Sequence, residues 1–323
     1  MLDPEIGRRR MVELGATVRV VNPFRFPWNP LAKKGGYLRG LDPLRAIWVL
    51  LTCRKASAII CVTESSALVL LLLRRLFFFR PKVLLWDASL GNPWKFLQWV
   101  QRRVFRRADG LLMLSQQQCE LLKSKYRIRG HVANVGYYVD EHFFHPRYSV
   151  TGEYILAVGD DRSRDYETLV EAVRSVTDTP LTLKTRWRPA LPAPQHVTFV
   201  DRRLDDVEFR DLYSRATIVV VPLHVTDSPG GVTALFEAMA MGKPVIVTES
   251  SVSRDFVTHG HDAWVVPMND PERLREAIAR LMSEATLRKS LATAARQTIE
   301  TKFSSRHAAQ RQFDAILRIV NPK

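Results

Sequence analysis

An α/β fold with two doubly wound parallel sheets is what this sequence predicts, on three observations. The chain has 323 residues, more than one hydrophobic core usually spans, so two domains of about 150 residues each are the natural division. Short aliphatic or β-branched runs alternate along it with longer segments of period near 3.6, the pattern of parallel strands joined by crossover helices. A composition of 46% hydrophobic and 25% charged residues is globular rather than disordered.

The elements follow in order. A helix is expected over Glu5–Leu14, closed by Gly15, and then a strand over Thr17–Val21. Strands come next at Ala58–Val62, Val83–Trp86, Gly110–Leu114 and His131–Val135. The apolar stretch Ala67–Phe79 is broken by Arg74 and Arg75, and a spanning helix needs roughly 20 apolar residues, so no membrane span is expected. No apolar signal segment lies between Met1 and Arg10. A boundary is expected at Tyr148–Gly152, giving a first domain of residues 1–148 and a second of 149–323. In the second, strands are expected at Tyr154–Val158, Leu181–Lys184, Val197–Val200, Ile218–Val221, Pro244–Val247 and Ala263–Val266, with helices such as Tyr166–Val176 and Pro271–Met282 between them. The final helices, from about Leu287 to Val320, have no strand after them, so the last is expected outside the sheet order, with a return to the first domain open to it.

Charge and cysteine narrow the classes. Residues 1–148 hold 25 Lys+Arg against 10 Asp+Glu, while 149–323 hold 23 of each, so the whole formal charge of +15 sits in the first part. Such asymmetry points one half at an anionic surface or ligand. Three cysteines, Cys53, Cys61 and Cys119, are too few and odd in number for a disulfide framework, and fit a reducing, cytoplasmic compartment. No His/Cys/Asp cluster suggests a metal, and no helix-turn-helix, zinc or RNP-like pattern supports nucleic-acid binding.

The segment from Thr226 to Thr248 carries the chemistry. It reads as the end of a strand, a loop, a helix from about Val232 to Ala240, a turn at Gly242 and another strand. Gly230 and Gly231 fall where the helix begins. Glycines there let backbone N–H groups approach an anion, and the helix N-terminus favours negative charge. Thr233 can cap the helix or donate to a phosphate oxygen. Glu237, on an otherwise apolar helix, can accept the two hydroxyl hydrogen bonds a ribose supplies; the alternative is an ordinary glutamate favoured by the helix dipole.

These residues together resemble the donor signature of the group 1 retaining glycosyltransferases of the GT-B fold, E-G-F-G-x-x-x-x-E-A-M-A-x-G-x-P-V-I. Glu237, Ala238, Met239, Ala240, Gly242, Pro244, Val245 and Ile246 fall on its positions, and Gly230 and Gly231 lie in its glycine-rich start. The resemblance implies two Rossmann-like domains facing across a cleft. It implies that Glu237 binds the ribose hydroxyls and that Gly230, Gly231, Val232 and Thr233 offer backbone donors to the diphosphate and sugar. The first glutamate of the signature is replaced by Pro229, with Asp227 as the nearest acid, which leaves the sugar unspecified.

Other segments follow the family. Val139-Asp140 with Phe144 and Pro146 resembles its interdomain V-D-x-x-x-F-x-P, and His196–Leu223 resembles its N-V-x-F-x-G…L-Y-x-x-A element. Tyr154–Gly159 with Arg164 and Thr168–Ala172 resembles the element whose Arg and Lys clamp the donor diphosphate. Arg164 stands for the lysine, Asp160 occupies the arginine's place, and Arg162 is the candidate second cation. Guanidinium forks suit phosphate oxygens. The alternative for Arg162 and Arg164 is a solvated loop in salt contact with Asp160, Asp161 and Asp165. Lys184 is a further phosphate contact or an ordinary charge at a strand end. Arg202 and Arg203 are weaker candidates near the base.

In the first domain Leu84–Ser89 resembles a strand ending in D-x-H-E. Asp87 is kept, while Ser89 and Leu90 take the places of His and Glu. Asp87 orients an acceptor hydroxyl or acts as base, or else caps a turn. Family members open on a strand and a Gly-rich loop, and that first strand is not found here. Arg102, Arg103, Arg106 and Arg107 share a helical face beside Trp94, Phe96 and Trp99, which suits an anionic membrane surface or is a solvated face over a core helix. The expectation is a glycosyltransferase using a nucleotide-sugar donor and a glycan or lipid-linked acceptor, with no other cofactor and no metal, cytoplasmic and peripheral at the inner membrane face. A nucleotide-sugar epimerase or hydrolase, or a non-catalytic membrane-surface protein on the same scaffold, are the alternatives.

Overall fold

The computed structural model describes residues 4–21, 43–62, 64–75, 77–87, 90, 95–146, 152–175, 179–188, 192–224 and 230–322. Two compact units divide the chain. One holds residues 7–136 with 308–323, the other residues 137–307 with those up to Ile6.

The first unit is built on a four-stranded parallel sheet in the order β1-β2-β3-β4. The strands are β1 (Ala58–Cys61), β2 (Lys82–Trp86), β3 (Gly110–Met113) and β4 (His131–Asn134). Helices α1 (Pro4–Glu13), α2 (Pro43–Thr52), α3 (Glu64–Leu73), α4 (Lys95–Arg107) and α5 (Gln116–Ser124) precede or separate them. Leu50, Leu70, Val83, Leu85, Phe105, Met113 and Leu122 form its core. β3 is buried along its whole length, as a central strand of a parallel sheet must be. The expected strand Thr17–Val21 does not form. These residues make no ladder, Val20 is 51% exposed, and Arg19 instead lies over the Trp48 ring at 4.8 Å. A β-branched run without a neighbouring strand to bond to stays a loop.

The second unit holds six parallel strands: β5 (Tyr154–Val158), β6 (Leu181–Lys184), β7 (Val197–Phe199), β8 (Ala216–Val221), β9 (Val245–Thr248) and β10 (Trp264–Val266). Their order, β10-β9-β8-β5-β6-β7, runs outward in both directions from β5 and β8. Successive side chains enter opposite faces. Leu156, Val219, Val245 and Val247 pack with Phe236 and Met239 on one face, and Ile155, Ala157, Val220 and Ile246 pack with Leu274 and Ile278 on the other. Helices α6 (Tyr166–Val173), α7 (Asp206–Arg215), α8 (Val232–Ala240), α9 (Ser251–Phe256), α10 (Pro271–Ser283) and α11 (Ala285–Thr298) cover both faces. A π-turn over Ile299–Phe303 leads into α12 (Ser305–Val320). Sequence capping is obeyed: Asp165 opens α6, Asp205 opens α7 in a capping box with Glu208, and Asp270 opens α10.

The units change over between Gly136 and Tyr137, ahead of the expected boundary at Tyr148–Gly152, where residues 148–151 lie outside the described residues. The reason is packing. Val139 and Phe144 are part of the second unit's core, with Phe144 edge-on to Tyr213 at 6.2 Å. Glu141 accepts from the Ser305 amide at 2.9 Å, and Arg296 donates to the carbonyls of Glu141, Phe144 and Ala240. The V-D-x-x-x-F-x-P segment is therefore an integral part of this unit. At the other end of the chain, Ile319 of α12 lies over Gly110, where a Cβ would come within 2.4 Å of its Cδ1. Among the described residues no helix is long and apolar enough to cross a membrane.

Candidate functional site

The sheet of the second unit reverses its winding between β5 and β8, and in such sheets ligands bind outside the carboxyl ends of the strands at that point. The loop after β5 and the segment after β8 meet there. Asp165 N donates to Pro222 O (3.1 Å), His224 N donates to Ser163 O (2.8 Å), and Arg164 forms an antiparallel bridge with Leu223. Thr248, at the end of β9, clasps Leu223 through its hydroxyl at 2.8 and 3.2 Å.

This zipping draws Arg164 inside. Its side chain is 5% exposed and touches Asp161 at 3.4 Å through Nη2, while Nε and Nη1 are buried with no hydrogen-bond partner. The solvated-loop alternative is thus excluded for Arg164. Two glycines crowd around it, and a third, Gly230, lies against its neighbour Ser163. A Cβ on Gly159 (φ +143°) would lie 2.1 Å from Nε, one on Gly231 (φ +83°) would lie 2.4 Å from Nη1, and one on Gly230 would lie 2.1 Å from Ser163 Oγ. Gly231 is also the N-cap of α8, and that helix start has no side-chain cap. A buried guanidinium with unused donors therefore faces an uncapped helix N-terminus, an arrangement that an anion completes. Val232 is buried and Thr233 exposed in the first helical turn.

Glu237 follows in the second turn, 3% exposed, and its Oε2 accepts from Tyr213 Oη at 2.8 Å. Burial raises its pKa, opposed by the Tyr213 hydrogen bond and the charge of Arg164. The phenol of Tyr213 is itself held well above its ordinary value by burial and the neighbouring carboxylate. The expectation of a carboxylate open to ribose hydroxyls differs from this state, in which Tyr213 holds the oxygen a ribose hydroxyl would use.

The remaining donor-side candidates sit apart. Arg162 is exposed, and nothing ties it to Arg164. Asp160, in the place of the family's arginine, accepts from the Arg186 amide (2.6 Å) and Thr185 Oγ1 (3.2 Å) and pairs with Arg186 Nε at 3.3 Å. Burial pushes Asp160 up, but those bonds and the charges of Arg186 and Lys184 outweigh it and leave the pKa lowered. Lys184 thus serves Asp160, and its carbonyl accepts from Gly159 N at 3.2 Å. Arg202 is engaged elsewhere, paired with Glu208 at 2.7 Å. Residues 225–229, with Asp227 and Pro229, lie outside the described residues.

Asp87 belongs to the first unit, at the carboxyl end of β2, in a left-handed conformation (φ 49°) unusual for a residue with a side chain. Its amide donates to Leu112 O at 2.9 Å, and its Oδ1 accepts from Gln118 Nε2 at 3.0 Å. Gln118 is buried and is itself oriented by the amides of Leu114 and Ser115. Burial raises the Asp87 carboxyl, partly offset by Gln118. Ser89 lies outside the described residues, and Leu90 is buried. On α4, Arg103, Arg106 and Arg107 are exposed, and Arg103 stacks on Trp99 at 4.3 Å. Arg102 departs from the expected common face, because it donates to Tyr126 O (3.0 Å) and Lys125 O (3.4 Å) at the end of α5. Trp94 and the side chain of Phe96 lie outside the described residues.

Two residues escaped the sequence reading. Gly159 directly follows β5 and gives Arg164 its space, and Tyr213 partners Glu237 from 24 positions away. The signal for Tyr213 was the L-Y-x-x-A element already noted.

Known proteins are similar to this chain in fold and in part of its sequence. Residues 184–298 match the model of the family of glycosyl transferases group 1. The amylovoran biosynthesis glycosyltransferase AmsK of Erwinia amylovora is 35% identical over 91 residues, 28% of this chain and 22% of that protein. The chain thus aligns with about a quarter of that relative's length or less. A glycosyltransferase structure from Rickettsia africae superposes with TM-score 0.70 at 15% identity, covering 98% of this chain and 88% of the other. Anabaena HepE in complex with UDP-glucose gives TM-score 0.70 at 14% identity, covering 84% and 80%. The fold is GT-B, and the stretch of 184–298, with α8 inside it, is similar to the group 1 glycosyl transferases.

Proposed function

We propose that the protein is a retaining glycosyltransferase that moves a sugar from a nucleoside-diphosphate sugar to a hydroxyl acceptor, a glycan or a lipid-linked saccharide, in polysaccharide or glycolipid synthesis. The observation that supports this most is Arg164, buried with two unused donor nitrogens against Gly159, Gly231 and the uncapped start of α8. A donor diphosphate supplies the missing acceptors. As the bond from the sugar's anomeric carbon to the diphosphate oxygen breaks, negative charge grows on that oxygen, and Arg164 with the amides of Gly231, Val232 and Thr233 stabilises it. Lys184 and Arg162 add positive potential at the rim. Glu237 exchanges its Tyr213 contact for ribose hydroxyls. The acceptor oxygen bonds to the anomeric carbon on the face the diphosphate leaves, and its proton goes with the departing diphosphate oxygen; within the first unit, Asp87 with its raised carboxyl is the group suited to hold an acceptor hydroxyl. The guanidinium and helix amides neutralise the diphosphate in place of a metal ion, so EDTA leaves turnover unchanged.

The printed names of the relatives direct the substrates tested. The Erwinia enzyme is named for exopolysaccharide synthesis and the Anabaena structure holds UDP-glucose, so UDP-sugars come first. The exposed arginines of α4 beside Trp99 support a peripheral position on an anionic membrane, at the inner face. The test is thermal shift with UDP, GDP and ADP, followed by product analysis with a labelled donor. Stabilisation by one nucleotide and acceptor-dependent transfer with retained anomeric configuration are expected. Epimer or free sugar without an acceptor replaces transfer with epimerase or hydrolase chemistry, and no stabilisation by any of the three ends the donor reading.

A further inference from the structure

A cavity lies at the opposite end of the first unit's sheet from Asp87. Asp87 follows β2, at the carboxyl ends of the parallel strands. This cavity, of about 500 Å³, opens at their amino ends, where Ala108 precedes β3 and residues 127–130 precede β4. Its walls include Phe105, Arg106, Arg127, Ile128, Arg129 and Gly130. Phe105 and Ile128 are buried and form an apolar floor, whereas the three arginines are exposed at the rim.

Nothing acidic answers these cations. From Lys95 to His131 the sequence holds nine Lys and Arg against two acids, Asp109 and Glu120. Asp109 is consumed by Arg74 Nη1 and the Val83 amide, both at 2.8 Å, and Glu120 accepts from Gln116 at 3.2 Å. The carbonyl end of α5, another source of negative potential, is already covered by Arg102 through Tyr126 O and Lys125 O. Arg106, Arg127 and Arg129 have no hydrogen bond or ion pair among the described residues. The backbone adds an independent sign. Arg127 sits at φ 52° just past α5, where Ile128 N closes back on Leu122 O at 3.0 Å. Glycine is the residue that position favours, yet an arginine occupies it.

We infer that this cavity is a phosphate-binding site, taking a phosphomonoester or diphosphate group from a soluble ligand or from an anionic lipid headgroup. Three guanidinium forks around one concavity match tetrahedral phosphate oxygens, and the apolar floor accepts the adjoining part of the ligand. The site goes beyond the donor reading and stands without it.

The test compares the wild-type chain with Arg106→Ala/Arg129→Ala and with Arg127→Gly. Pyrophosphate is titrated calorimetrically, and vesicles of phosphatidic acid in phosphatidylcholine are compared with phosphatidylcholine alone. Because the comparison is between variants, anion binding at α8 cancels. The double variant is expected to lose about tenfold in affinity for at least one probe. Arg127→Gly is expected to lose part of it while its Tm holds or rises, since glycine relaxes the left-handed backbone; loss of binding through unfolding is thereby ruled out. A response to pyrophosphate alone assigns a soluble ligand, and a response to phosphatidic acid vesicles alone assigns the headgroup. Binding of both probes unchanged in both variants overturns the site, whatever UDP does to the protein's Tm.

Discussion

The two α/β units handle charge in opposite ways. In the unit of residues 137–307 the informative charges are buried: Arg164, Asp165, Arg210, Glu237 and Asp262 are each under a tenth exposed. In the unit of residues 7–136 and 308–323 they are displayed, on Arg103, Arg106, Arg107, Arg127 and Arg129. A buried charge acts at short range and in one direction, because little water screens it. An exposed one acts over roughly a Debye length, about 10 Å at 0.1 M salt. The binding proposed at α8 is therefore expected to be selective and salt-tolerant, and that proposed on α4 broad and salt-sensitive.

Substitutions that invert these environments break the comparison, and the largest effect is expected at Arg164. Arg164→Ala removes a cation whose partner is the ligand, so nucleotide affinity falls by about a hundredfold. The empty protein keeps or gains stability, because an incompletely paired buried charge is lost. Titration calorimetry and urea melts measure the two sides. At Gly231, alanine forces a left-handed residue with a side chain against Arg164 and Leu223, at a cost of about 1–3 kcal/mol in urea denaturation.

Glu237→Gln is expected to weaken nucleotide binding by about tenfold through its ribose contacts. Its effect on stability has a definite sign. Burial raises the folded carboxyl, so above the ordinary carboxylate range the folded state binds more protons than the unfolded one, and stability falls as pH rises through that window. The glutamine variant loses that slope and melts higher at neutral pH. The smallest effect concerns Lys243, which donates to Ser214 O and Ala216 O and which burial lowers from 10.5 to about 8. Between those values the unfolded chain binds the extra proton, so stability rises with pH there. Lys243→Met flattens that rise in melts taken across the window.

Much of this was legible in the sequence, for reasons that differ by element. β5 was readable to the residue, since a strand covered on both faces is a nearly continuous apolar run, and β6 was readable because its two leucines alternate with polar residues and end at Lys184. Helix α8 was readable as well, because a glycine pair marks its start and Gly242 its end. Thr17–Val21 has the same local pattern as a strand and fails for want of a neighbour, which no local pattern contains. In the site, Gly231, Arg164 and Glu237 follow from motif spacing. The burial of Arg164 depends on where Leu223 and Gly159 come to lie, and the Tyr213 contact joins α7 to α8 across 24 residues. Asp87 was placed by its motif, yet Gln118, which orients it from 31 residues away, belongs to another helix. The fourfold cluster on α4 became a threefold one because the helix end of α5 claims Arg102.

The central claim is that Arg164 and the start of α8 form a diphosphate site. Calorimetric titration of UDP, GDP and ADP into the wild-type chain and Arg164→Ala tests it most directly. The account predicts saturable binding of at least one nucleotide by the wild type and its loss in the variant, with the variant's melting curve intact. Equal binding to both proteins, or to neither, contradicts it.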